Sequence, residues 1–81
     1  MVRLYRKLIE NGVVMEIEPI DYMGGAITFK FKKDDVEVCY PYPLMALEEM
    51  NTRSDLIENA LLIHVGDFLR YYNKMTESNY G

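Results

Sequence analysis

The stretch that most constrains this chain runs from Asn51 to Met75. At about 100° per residue, Ile57, Ala60, Leu61, His64, Val65, Phe68, Tyr71, Tyr72 and Met75 fall on one broad face. Asn59, Gly66, Arg70 and Asn73 fall opposite. Thr52 stands where an N-cap would, with Asp55 three residues on, and Asp55 and Glu58 suit the positive end of a helix. The pattern predicts one amphipathic helix roughly 35 Å long. A strand of 5–6 residues covers only about 17–20 Å, so such a helix is expected to overhang a small sheet, bend near Gly66, or be covered by another chain.

Ahead of that helix the chain reads as strands. Asn11-Gly12 separates two apolar-rich runs and fits a type I′ hairpin turn. That turn sets Leu4, Leu8, Met15 and Ile17 on one face and Arg3, Tyr5, Lys7, Glu16 and Glu18 on the other, with Arg6 the one charged residue on the apolar side. Pro19 is expected to end the second strand, and Asp21 to Gly25 to form a loop. Ala26 to Lys32 and Val36 to Tyr40 alternate cleanly about a turn centred on Lys33-Asp34. That turn pairs Phe31 with Val36, Phe29 with Val38 and Ile27 with Tyr40. Two prolines in Tyr40-Pro41-Tyr42-Pro43 predict an edge, and Pro43 opens a short helix over Leu44 to Met50. The expected architecture is a two-layer α+β domain over residues 1–75, ordered ββββαα: a four-stranded antiparallel meander, a short helix, and the long helix laid across one face. Residues 76–81 read as a frayed polar tail.

Eighty-one residues make a single small domain with a thin margin of stability, for which self-association is a common remedy. One cysteine, Cys39, excludes an internal disulfide and multi-cysteine metal sites. It fits a reducing compartment, and no signal segment or membrane-length apolar run is visible, so a soluble cytoplasmic protein is expected. The net charge of −4 opposes non-specific nucleic-acid binding. The charge is uneven. Residues 1–33 carry six basic and four acidic side chains, whereas residues 34–58 carry seven acids against Arg53 alone.

The sequence is spare in chemistry. A nucleophile needs a base within reach, and the chain offers one His, one Cys and few serines. Cys39 and His64 are expected on opposite sides of the sheet. His64 reads as a neutral histidine at the core edge, bonded to backbone or to a tyrosine. Gly24-Gly25 lacks the spacing and the Lys-Ser/Thr of a phosphate loop. No cofactor or metal is expected, and no enzymatic activity.

The remaining signals point to binding. Seven tyrosines is a high count, and tyrosine combines buried area with a polar tip. Leu62, Ile63 and Leu69 flank the polar face of the long helix around Gly66, which suits a second packing surface for a dimer. The first expectation is a non-catalytic protein-interaction module of the kind found among small bacterial or phage accessory proteins, a regulator or inhibitor. It would engage a basic surface of a larger protein, such as one that handles nucleic acid, through Asp34, Asp35, Glu37, Glu48 and Glu49 with Tyr40 and Tyr42. It would self-associate through Leu62, Ile63, Gly66 and Leu69. The alternative is a nucleic-acid-binding sheet face built from Arg3, Tyr5, Lys7, Lys30 and Lys32. A third class, a small-ligand site using His64 beneath the helix, requires a cavity there.

Overall fold

In the computed structural model, which describes residues 1–21, 24–51 and 54–78, the element order is α1 (Val2–Asn11), β1 (Val14–Ile20), β2 (Ala26–Lys33), β3 (Val36–Pro43), α2 (Leu44–Met50) and α3 (Ser54–Ser78). The class is α+β, but the sheet has three antiparallel strands, ordered β1-β2-β3, and the first segment is a helix. The expected four-stranded meander is therefore corrected at its first strand.

The correction has a local cause. Asn11-Gly12 does need a left-handed residue, but it serves a helix C-cap, not a hairpin. Gly12 adopts φ 66° and ψ 31°, its N–H bonds to the Ile9 carbonyl, and the Val13 N–H bonds to the Leu8 carbonyl. Leu4 and Leu8, one turn apart, are both buried against α3, while Arg6 points away. A strand had to place Arg6 beside those leucines; a helix does not.

The β2–β3 hairpin turns at Asp34-Asp35, with Asp34 in the left-handed region at φ 54°. Its partners are Phe31 with Val38, Phe29 with Tyr40 and Ile27 with Tyr42, a slip of two residues from the expected register. A slip of two preserves the faces, so the expected core residues still point inward. β1 continues through Pro19 to Ile20, and β3 runs through Pro41 to Pro43. All three prolines lie on edge strands, where a missing N–H is tolerated.

α2 spans Leu44–Met50 as expected, but Pro43 is its extended N-cap and the last residue of β3, not its first helical position. α3 runs from Ser54 to Ser78, so its far end passes into the segment expected to be frayed. The expected Thr52 cap lies outside the described residues. Leu61, Val65 and Phe68 from α3 meet Leu4 and Leu8 from α1, Val13, and Phe29 and Phe31 from β2 in one core. A three-stranded sheet is narrower than α3 requires, and α1 covers the flank the sheet leaves open.

Candidate functional site

Four polar or mixed constellations among the described residues bear on the expected sites, and the fold sets each in a different place. The first lies where α1 meets the start of α3. The buried Glu58 carboxylate stands 2.8 Å from the Met1 nitrogen, accepts from the Arg3 guanidinium at 3.0 and 3.2 Å, and accepts from the Leu4 backbone N–H at 3.2 Å. It caps α1 from another helix, satisfying the Leu4 amide in the first turn. The Met1 amino group, together with the Leu4 amide and Arg3, holds the Glu58 carboxyl down at about pKa 2 despite its burial.

The second is an aromatic chain between the sheet and α3. Phe29 meets Tyr42 edge-on at 5.8 Å, Tyr42 meets His64 at 5.6 Å, His64 stacks on Tyr40 at 4.1 Å, and Tyr40 meets Phe31 at 5.7 Å. His64 Nε2 hydrogen-bonds to the Tyr42 hydroxyl, and Nδ1 is buried without a partner. Burial lowers the His64 pKa against the opposing pull of Asp67, and burial raises those of Tyr40 and Tyr42. Of the two partners expected for His64, backbone or a tyrosine, the structure shows a tyrosine. Cys39 is exposed on the other side of the sheet, so it and His64 are not a nucleophile and its base. Among the described residues, no group of three or more His, Cys, Asp or Glu side chains could hold a metal ion.

The third is the outer face of the sheet. Lys30 stands between Glu18 at 3.0 Å and Glu37 at 3.1 Å, and Lys32 lies 3.4 Å from Glu16. Hydrogen bonds to Glu18 and Glu37 raise the Lys30 pKa above its ordinary value. The basic residues of the nucleic-acid alternative are therefore split. Lys30 and Lys32 are neutralised on the sheet, while Arg3, Tyr5 and Lys7 belong to α1, where Arg3 is bound to Glu58. The five do not share a sheet face, because the first strand that was to join them is a helix.

The fourth is an open groove of about 320 Å³ under α2. It is lined by Ile27, Phe29, Leu44, Leu47 and Ile57 together with Glu48 and Asn51, both of which are exposed. Gly25 makes this possible. Its carbonyl accepts from the Leu44 N–H at 3.1 Å, and a Cβ at Gly25, which has φ 103°, would lie 2.6 Å from Leu44 Cδ1. α2 itself buries no residue fully, and Met45 faces solvent. It rests on the groove instead of filling it.

The remaining interface candidates are dispersed. Asp34 accepts from the Tyr72 hydroxyl, beside Lys33 over the Tyr72 ring at 4.6 Å, so this acid ties the hairpin tip to α3. Glu37 is occupied by Lys30, and Asp35 is exposed. Glu48 and Glu49 stand on α2, at the opposite end of β3 from Asp34 and Asp35. Tyr40 and Tyr42 are half-buried within the aromatic chain. On α3, Leu62 and Leu69 pack against the core, Ile63 is 65% exposed, and Gly66 has open space where a Cβ would stand. The groove escaped sequence reasoning because its walls come from β2, α2 and α3. Its one legible signal was Glu48 and Asn51 three residues apart beside apolar Leu44 and Leu47.

No family model, curated protein or solved structure matches this chain. Among the described residues no helix is long and apolar enough to cross a membrane.

Proposed function

We propose that this chain is a non-catalytic protein-interaction module, a small cytoplasmic regulator or inhibitor that engages a basic surface of a larger protein and associates with a second copy of itself. The observation that supports the first part is the groove under α2, a largely apolar cleft whose lining includes the exposed residues Glu48 and Asn51. An apolar cleft with an exposed acid in its lining suits a lysine or arginine side chain, whose long stem packs against apolar surface while its head meets the carboxylate. Asp35 is exposed in the turn before β3, at the opposite end of that strand from α2, where its charge acts only at long range. Of the expected acidic contacts, Asp34 and Glu37 are engaged within the chain, so Glu48, with Asp35 as a steering charge, carries this reading.

Fluorescence anisotropy with labelled peptides that alternate leucine with lysine or arginine tests it. Glu48→Lys is expected to weaken binding about tenfold or more, and Asp35→Lys to slow association with a smaller effect on the complex once formed. Binding of such peptides that is unchanged in Glu48→Lys, or absent altogether in the wild-type chain, refutes the groove as the site.

A further inference from the structure

α1 carries more apolar surface than its seat on α3 uses. Leu4 and Leu8 face the core, yet Val2 is 69% exposed, Tyr5 48% and Ile9 80%. At about 100° per residue these three fall within an arc of roughly 60°, centred roughly 110° around the helix from the Leu4–Leu8 stripe. Arg6 and Glu10 border this second stripe on the side away from the core, and the five residues together line a shallow concavity of about 400 Å³. A ten-residue helix with two apolar stripes needs two neighbours. The fold supplies one.

The charges indicate the other. Arg6 and Glu10 are four residues apart, in the order that favours an ion pair within a helix least. They pair neither with each other nor with any other described residue, although the chain's other ion pairs lie within 3.4 Å or less. Side chains on a helix lean toward its N-terminus. When two copies of α1 lie antiparallel about a two-fold axis, Arg6 of each leans toward the last turn of the other, where Glu10 stands. In the same arrangement Tyr5 of each copy comes level with Ile9 of the other. One surface thus presents an apolar centre, two complementary charges and self-complementary spacing, which is what a two-fold interface requires.

We propose that α1 is a self-association surface, and that the second apolar stripe is covered by α1 of another copy running antiparallel, with Arg6 of each chain paired to Glu10 of the other. The proposal rests on the self-association reading above and gives it a place, on α1 instead of the Leu62–Leu69 flank of α3. A pair of ten-residue helices buries less than the roughly 1,200–2,000 Å² of stable interfaces, so the dimer is concentration-dependent.

Sedimentation velocity over a wide concentration range tests this with three proteins: the wild-type chain, Arg6→Glu and Glu10→Arg. The substitutions are at exposed positions, and circular dichroism verifies that each variant is folded. The wild-type chain is expected to pass from monomer to dimer. Each variant alone places like charges across the two-fold axis and is expected to weaken the dimer about tenfold or more. Mixed in equal amounts, the variants set two carboxylates on one chain against two guanidinium groups on the other, at both positions of the pair. A heterodimer of wild-type strength is then expected. A wild-type chain that stays monomeric overturns both the self-association reading and the assignment of α1. Variants that dimerise as the wild-type chain does overturn α1 alone and leave self-association standing on another surface. Weakened variants that fail to form the heterodimer overturn the Arg6–Glu10 pairing.

Discussion

Glu58 and His64 stand six residues apart on α3, and both place a titratable group inside the fold. Their surroundings differ in kind. Glu58 meets donors from the Met1 nitrogen, Arg3 and the Leu4 amide, and it stays charged. His64 has Tyr42 on one ring nitrogen, the Tyr40 ring against its face, and nothing on Nδ1. A charge is tolerated inside a small domain when several donors converge on it. A single neutral partner serves only a neutral group. The start of α3 is therefore fastened by electrostatics, its middle by aromatic packing, and the two fastenings fail in different acid ranges.

The comparison breaks most readily at the apolar contact beneath Glu58. Leu4 is fully buried between α1 and α3. Leu4→Ala is expected to cost about 2–5 kcal/mol in urea unfolding, because Glu58 can hold the end of α1 only where Leu4 already seats it. Glu58→Gln should cost less at neutral pH and act chiefly on the acid limb. The folded-state pKa of Glu58 lies near 2, below its ordinary 4.5. The stability it supplies is complete above about 4.5 and is lost as pH falls toward 2. In Glu58→Gln that part of the decline should flatten. If Glu58→Gln instead keeps the wild-type pH profile between 4.5 and 2, Arg3 and the Met1 nitrogen act without the carboxylate.

His64 should fail earlier on acidification. Its folded-state pKa is below the ordinary 6.5, so the folded protein resists protonation that the unfolded chain accepts. Stability is complete above about pH 6.5 and declines below it until the folded-state value is passed. The groups facing the ring are Tyr40 and Tyr42 from β3 and Asp67 on its own helix; only Asp67 favours the cation, and burial outweighs it. Removing the single hydrogen bond by Tyr42→Phe is expected to cost about 1–3 kcal/mol, with the pH-dependent loss retained. NMR titration of the His64 ring protons, set beside denaturant midpoints from about pH 7.5 to about pH 5, checks both. A ring that titrates at or above its ordinary value would contradict the reading of His64 as a buried neutral group.

The two fastenings were unequally legible. The apolar period over Asn51–Met75 placed His64 on the inner face, because that inference needs only local spacing, and left its partner as backbone or a tyrosine. Tyr42 as that partner depends on the two-residue slip that puts it opposite Ile27. Glu58 showed itself only as an acid in a first turn, since its role requires α1 to be a helix. Asn11-Gly12 serves a hairpin turn and a helix C-cap equally well, both needing positive φ. The deciding residue was Arg6. It broke the strand pattern, whereas Leu4 and Leu8 at i, i+4 with Arg6 turned away satisfy a helix. The groove under α2 required three elements and a close approach at Gly25, which no local pattern encodes.

The smallest effect is expected on the outer sheet face. Lys30 has two carboxylates within 3.1 Å, as many ionic neighbours as Glu58 has, and the partners are open to solvent at both sites; Glu37 is itself 43% exposed, whereas Glu58 is 7% exposed. If convergence of charge alone fastened this fold, Glu37→Gln would matter as much as Glu58→Gln. If burial sets the value of each partner, Glu37→Gln should change stability by about 0–1 kcal/mol, and about 0.5 M salt should erase the difference. Urea midpoints of Glu37→Gln and Glu58→Gln at low and high salt decide between these. A loss in Glu37→Gln that equals that of Glu58→Gln and survives salt would place the electrostatic fastening on the sheet as much as on α3. A small, salt-erased loss leaves it at the junction of α1 and α3, where the Glu58 carboxylate is buried and accepts the Leu4 amide besides its ionic partners.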